Sequence, residues 1–279
     1  MPRTLMLPTY LDGDGDLNTA SARIRAYWVA KNWDECDFYN GTQDIRVYDA
    51  LIFQKLYLDH RWPLEAQLAR ARGQSVYFDL CDPVWEQGAR GQLMGMLALC
   101  NAAIASTELI REWLARFLPA FTIGDYVDLT EYPSCYRMKQ TDADITAVWY
   151  GYSANYSALA EFIPELDKRG VKLVTISDRS LKVDGVQWIP WERETVNQNL
   201  VEYDFVVNPK GLASRWAYKS DNKTSQAWAL GCPVAHTTQE LDQLMSWKGR
   251  QTAHKRALDA RPTLDIQNAV NQWKQIIRG

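Results

Sequence analysis

Long apolar runs, paired cysteines, clustered histidines and a dominant charge are all missing from this 279-residue sequence, and each absence narrows what the chain can be. No stretch approaches the roughly 18–20 apolar residues that a membrane-spanning helix requires. The short apolar run at the N-terminus ends at Pro8, too soon for a secretory or membrane segment. Five cysteines, Cys36, Cys81, Cys100, Cys135 and Cys232, are scattered with no C-x-x-C pair, which reads as reduced thiols in a cytoplasmic protein and argues against a zinc site. None of the three histidines, His60, His236 and His254, stands at ligand spacing from another, so no metal centre is expected. No G-x-G-x-x-G follows a strand pattern, which disfavours a dehydrogenase, and no G-x-S-x-G elbow supports a serine nucleophile. With 31 basic against 34 acidic side chains the net charge is −3, so no global field draws the chain to nucleic acid or anionic lipid, although a local basic cleft stays open.

What is present is a large apolar and aromatic complement: 47% hydrophobic residues, with 12 tryptophans and 14 tyrosines, enough to build a substantial core. The length suits two domains of about 100–150 residues each. Apolar strand patterns alternate with helical ones, the mark of βαβ units and parallel sheets. Strands are expected at Thr4–Leu7, Ala50–Phe53, Val76–Leu80, Ala103–Ala105 and Phe121–Ile123. Between them helices are expected at Ala20–Asn32, Pro63–Arg72, Gly91–Cys100 and Thr107–Phe117, the last with Thr107 as N-cap and Ile110, Trp113, Leu114 and Phe117 on one face. A polar joint over Asp128–Asp144 reads as a linker. Beyond it come strands at Ile145–Trp149, Lys172–Ile176, Val186–Trp188, Phe205–Val207 and Val234–His236. A helix is expected over Ser157–Arg169, and helical pattern runs from Asp242 to the end, interrupted near Arg261-Pro262. The division is therefore 1–135, 145–258 and a terminal helix over 262–279.

The segment Lys219 to Val234, KSDNKTSQAWALGCPV, is the most informative. Lys219, Ser220, Asn222, Lys223 and Thr224 gather cations and donors just before an apolar helix that Gly231 and Pro233 end. Such a cluster at a helix N-terminus, where backbone N–H groups and the positive end of the dipole converge, suits a phosphate or diphosphate. A well-capped amphipathic helix with a solvated first turn reads the same residues without a ligand. The segment resembles the donor-binding element of GT-B glycosyltransferases, including its small-residue turn, here Gly231-Cys232-Pro233-Val234. Other stretches are similar too: Ser21-Ala22-Arg23-Ile24-Arg25-Ala26, Val148-Trp149-Tyr150-Gly151 followed by Asn155, and Tyr203-Asp204-Phe205-Val206-Val207-Asn208-Pro209. The likeness is to family-four-like members, with one departure. Two glutamates eight positions apart, common in retaining members, fall here on Tyr218 and Gln226, so neither carboxylate is present.

The resemblance implies an α/β fold of two Rossmann-like, doubly wound parallel-sheet domains facing a cleft, with the terminal helix packing back on the N-terminal domain. It implies sugar transfer from a nucleoside-diphosphate donor, a UDP-sugar foremost, to an acceptor hydroxyl on a glycan, a lipid-linked glycan or a modified nucleic-acid base, with no tightly bound cofactor. Gly151, Tyr152, Asn155, Arg215, Lys219, Ser220, Asn222, Lys223 and Thr224 are its donor-binding residues. A phage-type enzyme acting on a modified base, and a catalytically silent nucleotide-sugar binder or assembly partner, are the alternatives; the missing glutamates support the silent binder.

For the acceptor side, Asp79-Leu80-Cys81-Asp82-Pro83 ends a strand where a parallel sheet presents side chains to ligand. Pro83 keeps Asp82 out of the α region, and its carboxylate is a candidate for orienting an acceptor hydroxyl or taking its proton, or else is a turn or capping aspartate. His60 is the second catalytic candidate, with a solvated loop histidine as its plain reading. His236 ends a strand and could lie near the nucleotide. Leu11-Asp12-Gly13-Asp14-Gly15-Asp16 suggests a turn or acceptor-side loop; its aspartates suit neither a phosphate cradle nor a calcium loop.

Overall fold

The computed structural model describes residues 2–9, 17, 19–211 and 214–278, with Gln87, Ser214 and Arg215 as backbone only. The Asp-rich stretch 11–16 lies outside the described residues. The chain divides into two compact units: Met1–Asp128, Ala217–Ser220 and Asp265–Gly279 form the first, and Leu129–Trp216 and Asp221–Leu264 the second.

The first unit holds a six-stranded sheet of β1 (Thr4–Leu7), β2 (Cys36–Phe38), β3 (Ala50–Gln54), β4 (Ser75–Leu80), β5 (Ala102–Ala105) and β6 (Ala120–Thr122), ordered β2-β1-β3-β4-β5-β6. All of its pairings are parallel. The central strands β1 and β3 are buried along their whole length, as continuous apolar runs covered on both faces must be. β2 has no counterpart among the expected strands: it is three residues long, lies on the sheet edge and carries one buried residue, so no apolar run announces it. Helices α1 (residues 20–31), α2 (Arg61–Ala71), α3 (Arg90–Leu97) and α4 (Glu108–Leu114) connect the strands. Within α1 a π-helical turn spans Arg23–Tyr27. Thr107 caps α4, its Oγ1 accepting from Ile110 N at 3.5 Å, while Ile110, Trp113 and Leu114 are buried. Phe117 departs from that face: α4 stops at Leu114 and the ring is 40% exposed.

The second unit holds β7 (Thr146–Tyr150), β8 (Lys172–Ser177), β9 (Val186–Pro190), β10 (Phe205–Val207) and β11 (Val234–Ala235), in the order β11-β10-β7-β8-β9, again all parallel. Its core gathers Trp149, Leu159, Leu166, Phe205, Val207 and Leu241. The single helix expected over 157–169 is two, α5 (Tyr156–Ala160) and α6 (Ile163–Asp167). Pro164 explains the break: it has no N–H for the Ala160 carbonyl, and its ring clashes with that carbonyl in a continuous helix. α7 (Val196–Leu200), α8 (Asn222–Leu230), α9 (Thr238–Leu244) and α10 (Trp247–Ala260) complete the unit. Ser246 separates α9 from α10 by capping the latter, its Oγ accepting from Gly249 N at 3.1 Å.

The last helix, α11 (Ile266–Arg278), belongs to the first unit. Ile266 N donates to Val127 O at 2.9 Å, Ile266, Val270 and Trp273 are buried, and the Trp273 ring meets Tyr77 edge-on at 6.5 Å.

Candidate functional site

In an open parallel sheet, ligands bind beyond the carboxyl ends of the strands where the strand order reverses. In the second unit that point falls between β7 and β10. Gly151 follows β7 directly and has φ +142°, a backbone that favours glycine. A Cβ built on it would lie 2.5 Å from Lys223 Nζ and 3.5 Å from the Trp149 ring. Lys223 Nζ lies over that ring, 4.3 Å from its centroid, and Tyr150 OH donates to the Lys223 carbonyl at 2.6 Å. The first turn of α8, Asn222 to Thr224, is thereby held against the end of β7. Asp221, at the N-cap, makes no side-chain capping bond to the helix; its carboxylate pairs with Lys210 at 2.9 Å. Since the first amides of an α-helix have no intrahelical acceptor, this helix start suits an anion.

Thr224 is fixed by a short relay. Asn208, just after β10, donates its Nδ2 to Thr224 Oγ1 at 3.1 Å, and Thr224 Oγ1 lies 2.8 Å from His236 Nε2. His236 Nδ1 in turn lies 3.1 Å from Glu240 Oε2, which also accepts from His236 N at 2.7 Å. With Nδ1–H donating to the carboxylate, Nε2 accepts the threonine hydroxyl proton, and every bond in the relay has one donor. Burial pushes the Glu240 carboxyl up, but the hydrogen bonds from His236 N and Nδ1 and from the Thr237 backbone outweigh it and leave it below its ordinary value. On the other side of Gly151, Ser153 donates through N and Oγ to Asp178 at 2.7 and 2.9 Å, which pins the loop carrying the half-exposed Tyr152. Asn155 ends the 3-10 turn Ser153–Asn155 and stands at the N-cap of α5.

The first unit has its own reversal, between β1 and β3. Asp82 lies two residues past β4 on that carboxyl edge. Lys55 Nζ stands 2.6 Å from its Oδ2 and Lys219 Nζ 2.6 Å from its Oδ1. Burial would raise the Asp82 carboxyl, yet the two ammonium charges and their hydrogen bonds hold it far below the usual carboxylate range. Below this trio, Arg25 from the π turn of α1 is buried against Asp79 (Nε to Oδ2, 2.8 Å) and Asp125 (Nη1 to Oδ1, 2.7 Å), and it donates to Ile123 O at 2.9 Å. Burial opposes the guanidinium charge, but the two carboxylates overcome it and the Arg25 pKa is raised. Ser220 Oγ donates to the far oxygen of Asp125 at 2.5 Å, and Thr107 Oγ1 donates to Tyr218 O at 3.3 Å. The segment Ala217–Ser220 is thus tied to the first unit along its length.

The residues expected at the diphosphate therefore divide: Lys219 and Ser220 bond to Asp82 and Asp125, while Asn222, Lys223 and Thr224 open α8. The Arg215 side chain is outside the described residues. The His60 imidazole is fully exposed, 3.6 Å from Asp59, and no described contact joins it to Asp82. Lys55 and Asp125 enter no sequence motif, their only signal being position just past a strand end. Asn208 lies in the Tyr203 to Pro209 stretch without an assigned role, and Glu240, in the first turn of α9, carries no signal. Among the described residues no group of His, Cys, Asp and Glu is placed to hold a metal ion, and no helix is long and apolar enough to cross a membrane.

No family model matches the chain, and no curated protein matches it in sequence. Solved structures do match it in fold. An alpha-glucosyltransferase in complex with UDP-glucose and DNA containing an abasic site superposes with a TM-score of 0.64 at 10% identity, over 99% of each chain. The pneumococcal O-GlcNAc transferase GtfA, in complex with UDP and GlcNAc, superposes with a TM-score of 0.55 at 11% identity, over 93% of this chain and 60% of its own. Two parallel-sheet α/β domains with these neighbours are the GT-B architecture that the sequence motifs resemble.

Proposed function

We propose that the protein is a glycosyltransferase that moves a sugar from a nucleoside-diphosphate donor to an acceptor hydroxyl. One observation carries the reading: at the strand-order reversal of the second unit, a glycine with φ +142° leaves room for a lysine ammonium at the first turn of a helix. Backbone without a side chain, a fixed cation and helix amides are the three elements that bind a diphosphate closely. In transfer, the bond from the anomeric carbon to the diphosphate oxygen breaks, the electron pair leaves with the diphosphate, and the acceptor oxygen bonds to that carbon. Negative charge grows on the departing phosphate, so Lys223 and the α8 amides stabilise the transition state more than the bound donor. Gly151 admits the diphosphate, Asn222 and Thr224 supply further donors, and Tyr152 and Asn155 flank it. In this reading the second unit takes the donor and the first the acceptor. Asp82, its two oxygens already paired with ammonium groups, is too weak a base to take the acceptor proton. It suits orienting the acceptor hydroxyl by accepting its hydrogen bond on approach; as the oxygen bonds to the anomeric carbon, that one proton passes to the departing diphosphate, the stronger base.

A UDP-sugar is the donor we favour, since both structural neighbours carry UDP or UDP-glucose. A modified base in DNA is a second reading of the acceptor, favoured by the end-to-end fold match to a glucosyltransferase bound to DNA. The free thiols, four of five buried, support a reducing compartment. The test is a panel of nucleotide sugars scored by thermal shift and by sugar release or transfer. A bound donor at one hundred times its Kd stabilises by about 2.7 kcal/mol, so a matching donor raises Tm by several degrees and is turned over slowly even without acceptor. A donor that binds but is never consumed, with any acceptor class, indicates the silent binder instead.

A further inference from the structure

Lys55 has φ +56°, in the left-handed region that non-glycine residues avoid. Two other described non-glycine residues share that region, Asp144 and Lys182, and both lie in exposed surface loops. Lys55 stands apart from them. It directly follows β3 on the carboxyl edge of the first sheet, beside the reversal between β1 and β3, and its N–H is anchored to Asp79 O at 3.0 Å. Strained backbone at such an edge is a pointer to function, because something must over-determine it. Here the ammonium reaches Asp82 Oδ2 at 2.6 Å while Lys219 holds Oδ1 at the same distance.

Stability alone does not account for this arrangement. The Lys55 and Asp82 side chains are 19% and 20% exposed and that of Lys219 is 41% exposed. Ion pairs with partial solvent access contribute little, and removing charges from water offsets much of what they gain. What the left-handed step does secure is orientation. With one ammonium on each oxygen, the carboxylate has a fixed plane and stays ionised; Oδ2 also accepts from the Cys81 thiol, which leaves the second lone pair of Oδ1 as the acceptor position. An ionised, immobile carboxylate with that position at Oδ1 is suited to receive a hydroxyl.

We propose that Lys55 is a positioning residue of the acceptor site, held in a strained backbone so that it and Lys219 lock the Asp82 carboxylate in the orientation that receives the acceptor hydroxyl. This rests on the transferase reading above, with Asp82 on the acceptor side. The groups that face Asp82 are Lys55 after β3, Lys219 from the 217–220 segment and the Cys81 thiol, whose Sγ lies 3.6 Å from Oδ2. The test compares wild type with Lys55→Gly, Lys55→Asn and Lys55→Arg. Glycine and asparagine relieve the left-handed backbone while removing the ammonium. Both variants are expected to melt near the wild-type temperature, relief of the left-handed backbone offsetting the lost ion pair, and to keep the wild-type thermal shift with UDP, while transfer falls at least tenfold. Lys55→Arg is expected to recover part of that loss. Independently of activity, the carboxyl carbon of Asp82, followed by NMR across the acid range, titrates at higher pH in Lys55→Gly than in wild type. An unchanged Asp82 titration, or a drop in Tm that matches the loss of activity, overturns the proposal. If wild type transfers no sugar from any donor, the transferase reading falls, and the titration together with the melting temperature still decides whether Lys55 holds Asp82.

Discussion

A methyl group on Gly151 would meet Lys223 Nζ at 2.5 Å and Cε at 2.7 Å, on a backbone with φ +142°. The lysine end can swing away, but only by leaving the Trp149 face; the backbone strain has no such escape. Gly151→Ala is therefore expected to cost about 1–3 kcal/mol of stability and to weaken UDP binding at least tenfold, measured by chemical denaturation and calorimetry of the same preparation. Donor affinity equal to wild type in a stably folded variant would remove Gly151 and Lys223 from the diphosphate site. The same reasoning separates the two lysines that the sequence placed together. Lys223 is fixed by a ring face in the second unit, and Lys219 by the Asp82 carboxylate in the first, so under the proposed function one substitution tests the donor site and the other the Asp82 cluster.

At the scale of elements, the π turn at Arg23–Tyr27 sets how α1 presents its arginines. Arg25 is 4% exposed and meets carboxylates from two separate strand ends, Asp79 within β4 and Asp125 beyond β6. Truncating one partner of a buried ionic network leaves uncompensated charge, so Arg25→Met is expected to destabilise by about 3–5 kcal/mol. Because Asp125 also accepts from Ser220, the loss should reach the 217–220 segment, seen as faster hydrogen exchange at Lys219 and Ser220 than in Ile110 and its neighbours on α4. A loss of stability with unchanged exchange there would confine Arg25 to a local role. The aromatic side of the same anchor is Trp85, stacked on Trp113 at 4.0 Å and meeting Tyr218 edge-on at 5.5 Å.

For the whole molecule, acid is the condition to which these networks are most exposed. Asp82 has a folded pKa far below its unfolded value, so its contribution is present in full above about pH 4 and is lost as the pH falls toward the folded value. Glu240, held down by His236, acts in the same direction. Lys55 is raised above its ordinary value, with burial opposed by Cys81 and by the Asp82 charge, and so contributes fully below about pH 10. Urea midpoints are thus expected to be level between about pH 5 and 9 and to fall below pH 4, with a shallower acid slope in Asp82→Asn. An unchanged acid slope in that variant would mean that the Asp82 pairs are not formed in solution.

Among the described residues, ten of the eleven strands could be read from apolar runs and their spacing. Strands buried on both faces, such as β1 and β3, must be continuously apolar whatever lies beside them, while the partly exposed β6 and β9 follow from the strand–helix alternation. The sequence likewise determined the Thr107 cap and the Gly231 stop, both local in origin. It pointed to the α8 start and to Gly151, since glycine after a strand and polar residues before a helix reflect needs met within a few residues. The edge strand β2 and the break at Pro164 were harder, the first for want of any apolar signal and the second because one proline had to be weighed against a good helical period. Only the tertiary structure could show that Lys55, Asp82 and Lys219 converge, since they are separated by 27 and 137 residues. The same holds for the Asn208, Thr224, His236 and Glu240 relay, and for the left-handed backbone at Lys55. Charges and hydrogen-bonding groups distant in sequence leave no periodic trace; they meet because parallel strands bring their carboxyl ends to one edge, and that edge is assembled only when the sheet is.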